Sequence, residues 1–217
     1  MTPSPAFNSS SQKPPASGAL IEAASRGNTR AVKALLKRGA DTKEELHGRV
    51  ALIEAAKWDH TDAVLALLKQ GADPDQKNNM DETALIWVAA NNNTEIANLL
   101  VDGSASIDQK DDEGKTPLMY AVFKGHMEVT QLLIDKGADL DSKDNKGNTA
   151  LAIAERQGYP EIAQMLKNIP AERARAAAAA KAAEDAAEET RISYVSDPHL
   201  HRDMPVPKLL RFKPGIK

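Results

Sequence analysis

Few side chains in this sequence could do chemistry, and their spacing decides what kind. His199 and His201 could offer neighbouring imidazoles to a metal from an extended segment, but no third ligand accompanies them, so a solvated tail is expected. The carboxylates Asp75, Asp108, Asp111, Asp141 and Asp144 fall in turn segments, where Asp shapes local backbone. No phosphate loop, nucleophile elbow or Ser/His/Asp constellation occurs. There is no cysteine, which excludes disulfides, thiol catalysis and zinc-thiolate sites and leaves the redox compartment open. The expectation is a chain that is not an enzyme, with no catalytic residue, no metal and no cofactor.

The elements that position these residues repeat. Leu20, Leu52, Leu85, Leu118 and Leu151 are separated by 32, 33, 33 and 33 residues. A second landmark keeps step with them: Leu35-Leu36, Leu67-Leu68, Leu99-Leu100, Leu132-Leu133 and Met165-Leu166. Two landmarks in register over five copies mark one structural unit repeated. Within each copy an apolar residue is followed three and four places on by two more, as in Val32, Leu35 and Leu36, which is one buried stripe on a helix. Small residues such as Ala23-Ala24, Ala55-Ala56 and Ala121-Val122 stand on the preceding short helix and allow close antiparallel approach. Gly39, Gly71 and Gly137 follow the second helix, where a residue without a Cβ ends a helix at little cost. Pro117 and Pro160 suit first-turn positions. One such pair cannot bury both its faces, so the pairs must stack.

The stretch Gly114 to Asp139, with Thr116-Pro117-Leu118, Gly125-His126, Val129, Leu132-Leu133 and Gly137-Ala138-Asp139, resembles the ankyrin repeat. The resemblance covers roughly 150 of 217 residues and implies an all-α repeat solenoid of helix-turn-helix pairs joined by hairpin-like fingers. The five expected repeats are about 18-46, 47-80, 81-113, 114-146 and 147-170. His60 and His126 fall where the family places a Gly-His turn, and there the imidazole satisfies loop backbone. The family's His after Pro-Leu is replaced by Ile21, Ile53, Ile86, Met119 and Ala152, so the loop link it makes is expected to become apolar packing. Ser17 is the expected N-cap of the first repeat, whose finger is one residue short and should differ in shape. Val50 and Asp59, and then Asn92 and Ser104, depart from the pattern, which makes repeats two and three less regular; Gly103 could end its helix one residue early.

Composition bounds the rest. Hydrophobic residues make up 41% and aromatics 4%, which suits Ala/Leu packing of helical repeats. Net charge is −3, giving no global case for nucleic acid, and no apolar run is long enough to span a membrane. Residues 1-17 form a Pro/Ser-rich head expected to be disordered. If a leader had been removed ahead of it the chain would be periplasmic; otherwise the reading is cytoplasmic. Residues 171-190 should form an Ala-rich helix, about 30 Å long if complete. Residues 191-217 read as an extended basic tail with Ile192, Tyr194, Leu209, Leu210 and Phe212 as anchors.

Family resemblance places binding on the concave side, at finger tips and exposed first-helix positions. The residues that occupy those slots and carry the expected protein-binding site are Arg26, Arg49, Lys57, Trp58, Met80, Trp87, Tyr120, Phe123, Lys124 and Arg156. Four of the eight aromatics in the chain are among them. Buried aromatics and Arg dominate interface energies, although Trp87 and Tyr120 could instead pack on the neighbouring repeat. The expected function is that of a small bacterial-type ankyrin protein, monomeric when free, that binds a partner enzyme and inhibits or shields it, as an immunity or self-protection protein does. The alternative is a scaffold or effector that tethers its partner through the Ala-rich helix and basic tail.

Overall fold

The computed structural model describes residues 15-169, 179-181 and 183-184. The expectations for the rest of the head, most of the Ala-rich segment and the whole basic tail, His199 and His201 included, lie outside the described residues. The chain forms two compact units, Met1–Leu166 and Lys167–Lys217. In the second, residues 179-181 and 183-184 are helical and exposed.

The first unit is an array of helix pairs: α1 (Ala19–Ser25) with α2 (Thr29–Lys37), α3 (Ala51–Lys57) with α4 (Thr61–Lys69), and α5 (Ala84–Asn91) with α6 (Thr94–Asp102). Then follow α7 (Pro117–Phe123) with α8 (Met127–Asp135), and α9 (Ala150–Gln157) with a helix that starts at residue 160. The first helices stack as one continuous row, α1 on α3 on α5 on α7 on α9. The second helices, α2, α4, α6 and α8, form a looser row beside it. Close approach in the first row needs small residues at the contact, and Ala24, Ala55, Ala56, Ala89, Ala121 and Ala154 are all fully buried there.

Leu52, Leu85 and Leu118 are buried between the two rows, and Leu67, Leu100 and Leu133 meet them from the second helices. Full burial of such a side chain contributes about 1.5–3 kcal/mol. Leu35, the counterpart of Leu67, is only partly buried, because the first repeat has a described neighbour on one side only.

Turn chemistry follows the sequence where the residues fit and departs where they do not. Thr116 and Thr149 accept from the backbone N–H of Met119 and Ala152 and so cap α7 and α9. Val50 cannot cap α3, and Thr83 makes no such bond at α5. Ser17 is not a cap either: Gly18 precedes α1 at φ +75, and the Ser17 hydroxyl donates to Glu44. Three fingers open on a side chain that holds its own turn. Asn78 Oδ1 accepts from Met80 and Glu82, Asp111 Oδ1 from Glu113 and Lys115, and Asp144 Oδ1 from Lys146 and Asn148. The shorter first finger does differ. It closes as a hairpin, β1 (Glu45–Leu46) against β2 (Arg49–Val50), with Glu45 opposite Val50.

Apolar packing alone does not link the loops, contrary to expectation. His60 and His126 satisfy loop backbone as the resemblance implies, donating Nε2–H back to the carbonyls of Ser25 and Ala90 at 3.1 and 3.0 Å, and further polar links join the fingers. Gln76, Lys77, Lys110 and Asn145 each donate to a backbone carbonyl 33 residues away. Asp75 and Asp108 accept from the backbone N–H of Ser106 and Asp139 in the following repeat, so they join repeats instead of shaping their own turns.

Gly103 does not end α6 early. It sits at φ −80, and Ser104 takes the left-handed place at φ +71 that Gly39, Gly71 and Gly137 hold elsewhere. A side chain in that conformation costs roughly 1–2 kcal/mol, which a glycine avoids. Ser104→Gly is therefore expected to raise the unfolding free energy by up to about 1 kcal/mol. Urea melts followed by far-UV circular dichroism would measure it, and a loss of stability would show that residue 104 is not strained.

Candidate functional site

The fingers and the exposed side of the first-helix row make one surface, and its polar side chains are set by neighbours a repeat apart. In repeats one and two, Arg49 on β2 lies 3.6 Å from Glu22 on α1 and 3.3 Å from Glu54 on α3, while Arg26 pairs with Glu22 at 2.7 Å. The hydrogen bond to Glu54 is the largest of the influences that hold the Arg49 guanidinium above its ordinary pKa. This end of the surface is a chain of alternating charge, so both arginines are already engaged.

In repeats two and three the core of the surface is aromatic. The Lys57 ammonium lies 4.1 Å from the centre of the Trp87 ring and 5.8 Å from that of Trp58. Such cation–π contacts contribute about 0.5–1 kcal/mol at exposed sites. Trp87 donates Nε1–H to Glu82 at 3.1 Å, and Glu82 also accepts from Asn78, so the indole is tethered to its own finger. Trp58 is 56% exposed and Met80, at a finger tip, 53%.

Repeats four and five form a cleft of about 360 Å3 between α7, α9 and the last finger. Tyr120 and Phe123 face it from α7, and the buried Ile153 of α9 also lines it. The Tyr120 hydroxyl donates to Asp111 Oδ2 at 2.6 Å. Burial first, then that hydrogen bond and the negative charge of Asp111, push the phenol well above its ordinary pKa, so the ring stays neutral. Lys115 lies 5.4 Å from the Tyr120 ring centre and pairs with Glu113 at 2.6 Å. That hydrogen bond holds the Glu113 carboxyl below its usual range. Arg156 donates to Asn148 Oδ1 at 3.1 Å. The Asp144 carboxylate is turned into the finger: burial pushes its pKa up, but bonds from Asn148 and Lys146 outweigh that and lower it.

All ten residues expected from sequence lie among the described residues, nine of them in three groups. Arg26 and Arg49 meet through Glu22; Lys57, Trp58 and Trp87 meet directly; Tyr120, Phe123, Lys124 and Arg156 line the cleft. Met80 stands apart on its finger, whose carbonyl accepts from Asp112 of the next. Ile153, one repeat on from Tyr120, is buried and offers no exposed side chain. Sequence reasoning passed over Lys146, which also lines the cleft. Its register gives it away, since it precedes Gly147 as Met80 precedes Asp81.

No described group of His, Asp or Glu residues is placed to hold a metal ion, and no described helix is long and apolar enough to cross a membrane. Two stretches of the chain, residues 6–78 and 85–174, match the family described as ankyrin repeats (3 copies). A search of curated proteins returns no match.

Tyr120→Phe removes one partner of the buried Asp111 carboxylate and should cost about 1 kcal/mol at neutral pH. Because the folded state raises the Tyr120 pKa, its stabilisation is complete below about pH 10 and is lost as pH rises from there through the raised value. Urea melts between neutral and strongly alkaline pH should therefore converge for the two proteins. A gap that is constant with pH would remove the Tyr120–Asp111 bond as its origin.

Proposed function

Since the chain belongs to the ankyrin-repeat family, whose repeats are generally protein–protein interaction modules, we propose that it is a non-enzymatic module that captures a partner enzyme on its first-helix and finger face and inhibits or shields it. One observation carries this reading. The large hydrophobic side chains left exposed among the described residues, Trp58, Met80 and Phe123, all belong to that face. Exposed apolar groups rimmed by Arg and Lys are what protein interfaces bury.

Trp58, at the end of α3, and Met80, on a finger, belong to repeat two and Phe123 on α7 to repeat four, so a single partner surface must span several repeats to cover them. Lys57 and Lys124 stand beside the rings and keep the surface hydrated until a partner displaces the water. Repeats that touch only their neighbours hold such a surface rigid without a large core. Ligand-induced ordering then costs less than it would on loops.

The test is affinity capture from the native organism's extract with the full chain and with Trp58→Ala/Phe123→Ala. One enzyme retained by the wild type, inhibited by it, and lost by the variant is the expected result; loss of about 2 kcal/mol or more at such anchors corresponds to roughly thirtyfold weaker binding. Equal retention by both proteins would remove the face from the reading. Capture that survives the double variant but fails when residues 191-217 are deleted would favour tethering through the tail instead.

A further inference from the structure

Resting on the reading of this face as a protein-binding surface, we propose that the cleft in its last two repeats takes an acidic peptide segment of the partner, with carboxylates set around one apolar side chain. The repeats, residues 18-170, carry a net charge of −6, yet the lining of this cleft inverts that sign. Lys115, Lys124, Lys146 and Arg156 face one carboxylate, Asp144. That carboxylate is only 8% exposed, and its two oxygens already accept from Lys146 and Asn148, so it has little to offer a ligand.

The cations divide into engaged and available. Lys115 is held by Glu113 at 2.6 Å. Lys124 lies beside the Phe123 ring, 5.9 Å from its centre, and is exposed; Lys146 is exposed on the finger opposite; Arg156 spends one N–H on the neutral Asn148. None of these last three has a carboxylate partner within 4.0 Å among the described residues, unlike Arg26, Arg49 and Lys136 elsewhere on the array. Between them lie the Tyr120 and Phe123 rings, which offer an apolar floor to a side chain entering from above. Tyr120 cannot repel an anion at neutral pH, because its hydroxyl is bound to Asp111 and stays protonated.

A cleft of about 360 Å3 holds a few side chains, not a folded element. Charge complementarity selects a carboxylate-bearing occupant, and the floor selects one with an apolar anchor between the charges. A nucleic acid is disfavoured, because its regularly spaced phosphates would lie along a scaffold that is acidic outside the cleft. The other basic patch, formed by Arg30, Lys33 and Lys37 on α2 with Lys69 on α4, has no aromatic floor and serves as an internal control.

The experiment is fluorescence anisotropy with the full chain and four labelled probes. One is the heptapeptide Glu-Asp-Glu-Phe-Asp-Glu-Asp, the second its amide counterpart Gln-Asn-Gln-Phe-Asn-Gln-Asn, the third the acidic peptide with Ala for Phe, and the fourth a short single-stranded DNA. The acidic Phe peptide should bind best. Lys124→Glu/Lys146→Glu should weaken it by about tenfold or more, whereas Lys33→Glu/Lys69→Glu, the same charge change on the second helices, should not. Its affinity should also fall as salt rises from about 50 to 200 mM. Equal binding of the acidic and amide peptides, indifference to Lys124→Glu/Lys146→Glu, or tighter binding of DNA would overturn the acidic occupant. Each of those results leaves the capture experiment with Trp58→Ala/Phe123→Ala untouched, so failure of the cleft and failure of the face are read separately.

Discussion

Everything in this molecule depends on how closely the first helices can approach one another. A helix of seven or eight residues is too short to be stable alone in water, and one pair of such helices leaves apolar surface on both sides. Ala24, Ala56, Ala89, Ala121 and Ala154 bring successive first helices together without a void, and Leu and Ile from both rows then close the space between. The hydrogen bonds from His60, His126, Gln76, Lys77, Lys110 and Asn145 to carbonyls about one repeat away depend on that spacing. They satisfy loop backbone that would otherwise have to face water at every turn.

The same row decides what the exposed face looks like. Positions on the short helix that cannot face the Ala contact must face solvent or the finger, so Trp58, Trp87, Tyr120 and Phe123 accumulate along one side. Their polar surroundings then sort them. Trp87 and Tyr120 find carboxylates on their own fingers, Glu82 and Asp111, and become half-buried walls. Trp58 and Phe123 have no such partner and stand out. Charge is sorted in a similar way: at the first repeats Arg49 is consumed by Glu22 and Glu54, while at the last two repeats Lys124, Lys146 and Arg156 are left facing a cleft.

Departures from the repeat pattern show where local chemistry yields to the array. Asp59, Asn92 and Ser104 adopt left-handed backbone at φ +58, +61 and +71, because the stack fixes the helix ends whichever residue stands there. Thr130 is fully buried with a hydroxyl that meets no protein acceptor, a cost carried by the surrounding packing.

The sequence by itself determined the period, the order of the helix pairs, the distinct first finger and the face on which aromatic and basic side chains gather, because these follow from residue type and spacing along the chain. It also placed the ten face residues, since each occupies a slot defined by the repeat. Only the tertiary structure decided which of them stand free. Whether Arg49 is already paired with Glu22, and whether Lys146 joins Lys124 and Arg156 around one cleft, depend on side chains that different elements bring together, and whether the Trp87 indole is tethered depends on how its finger folds back toward α5. Spacing along the chain assigns these residues their slots but not their contacts, because distances between elements are fixed by packing between repeats and by the fold of the fingers.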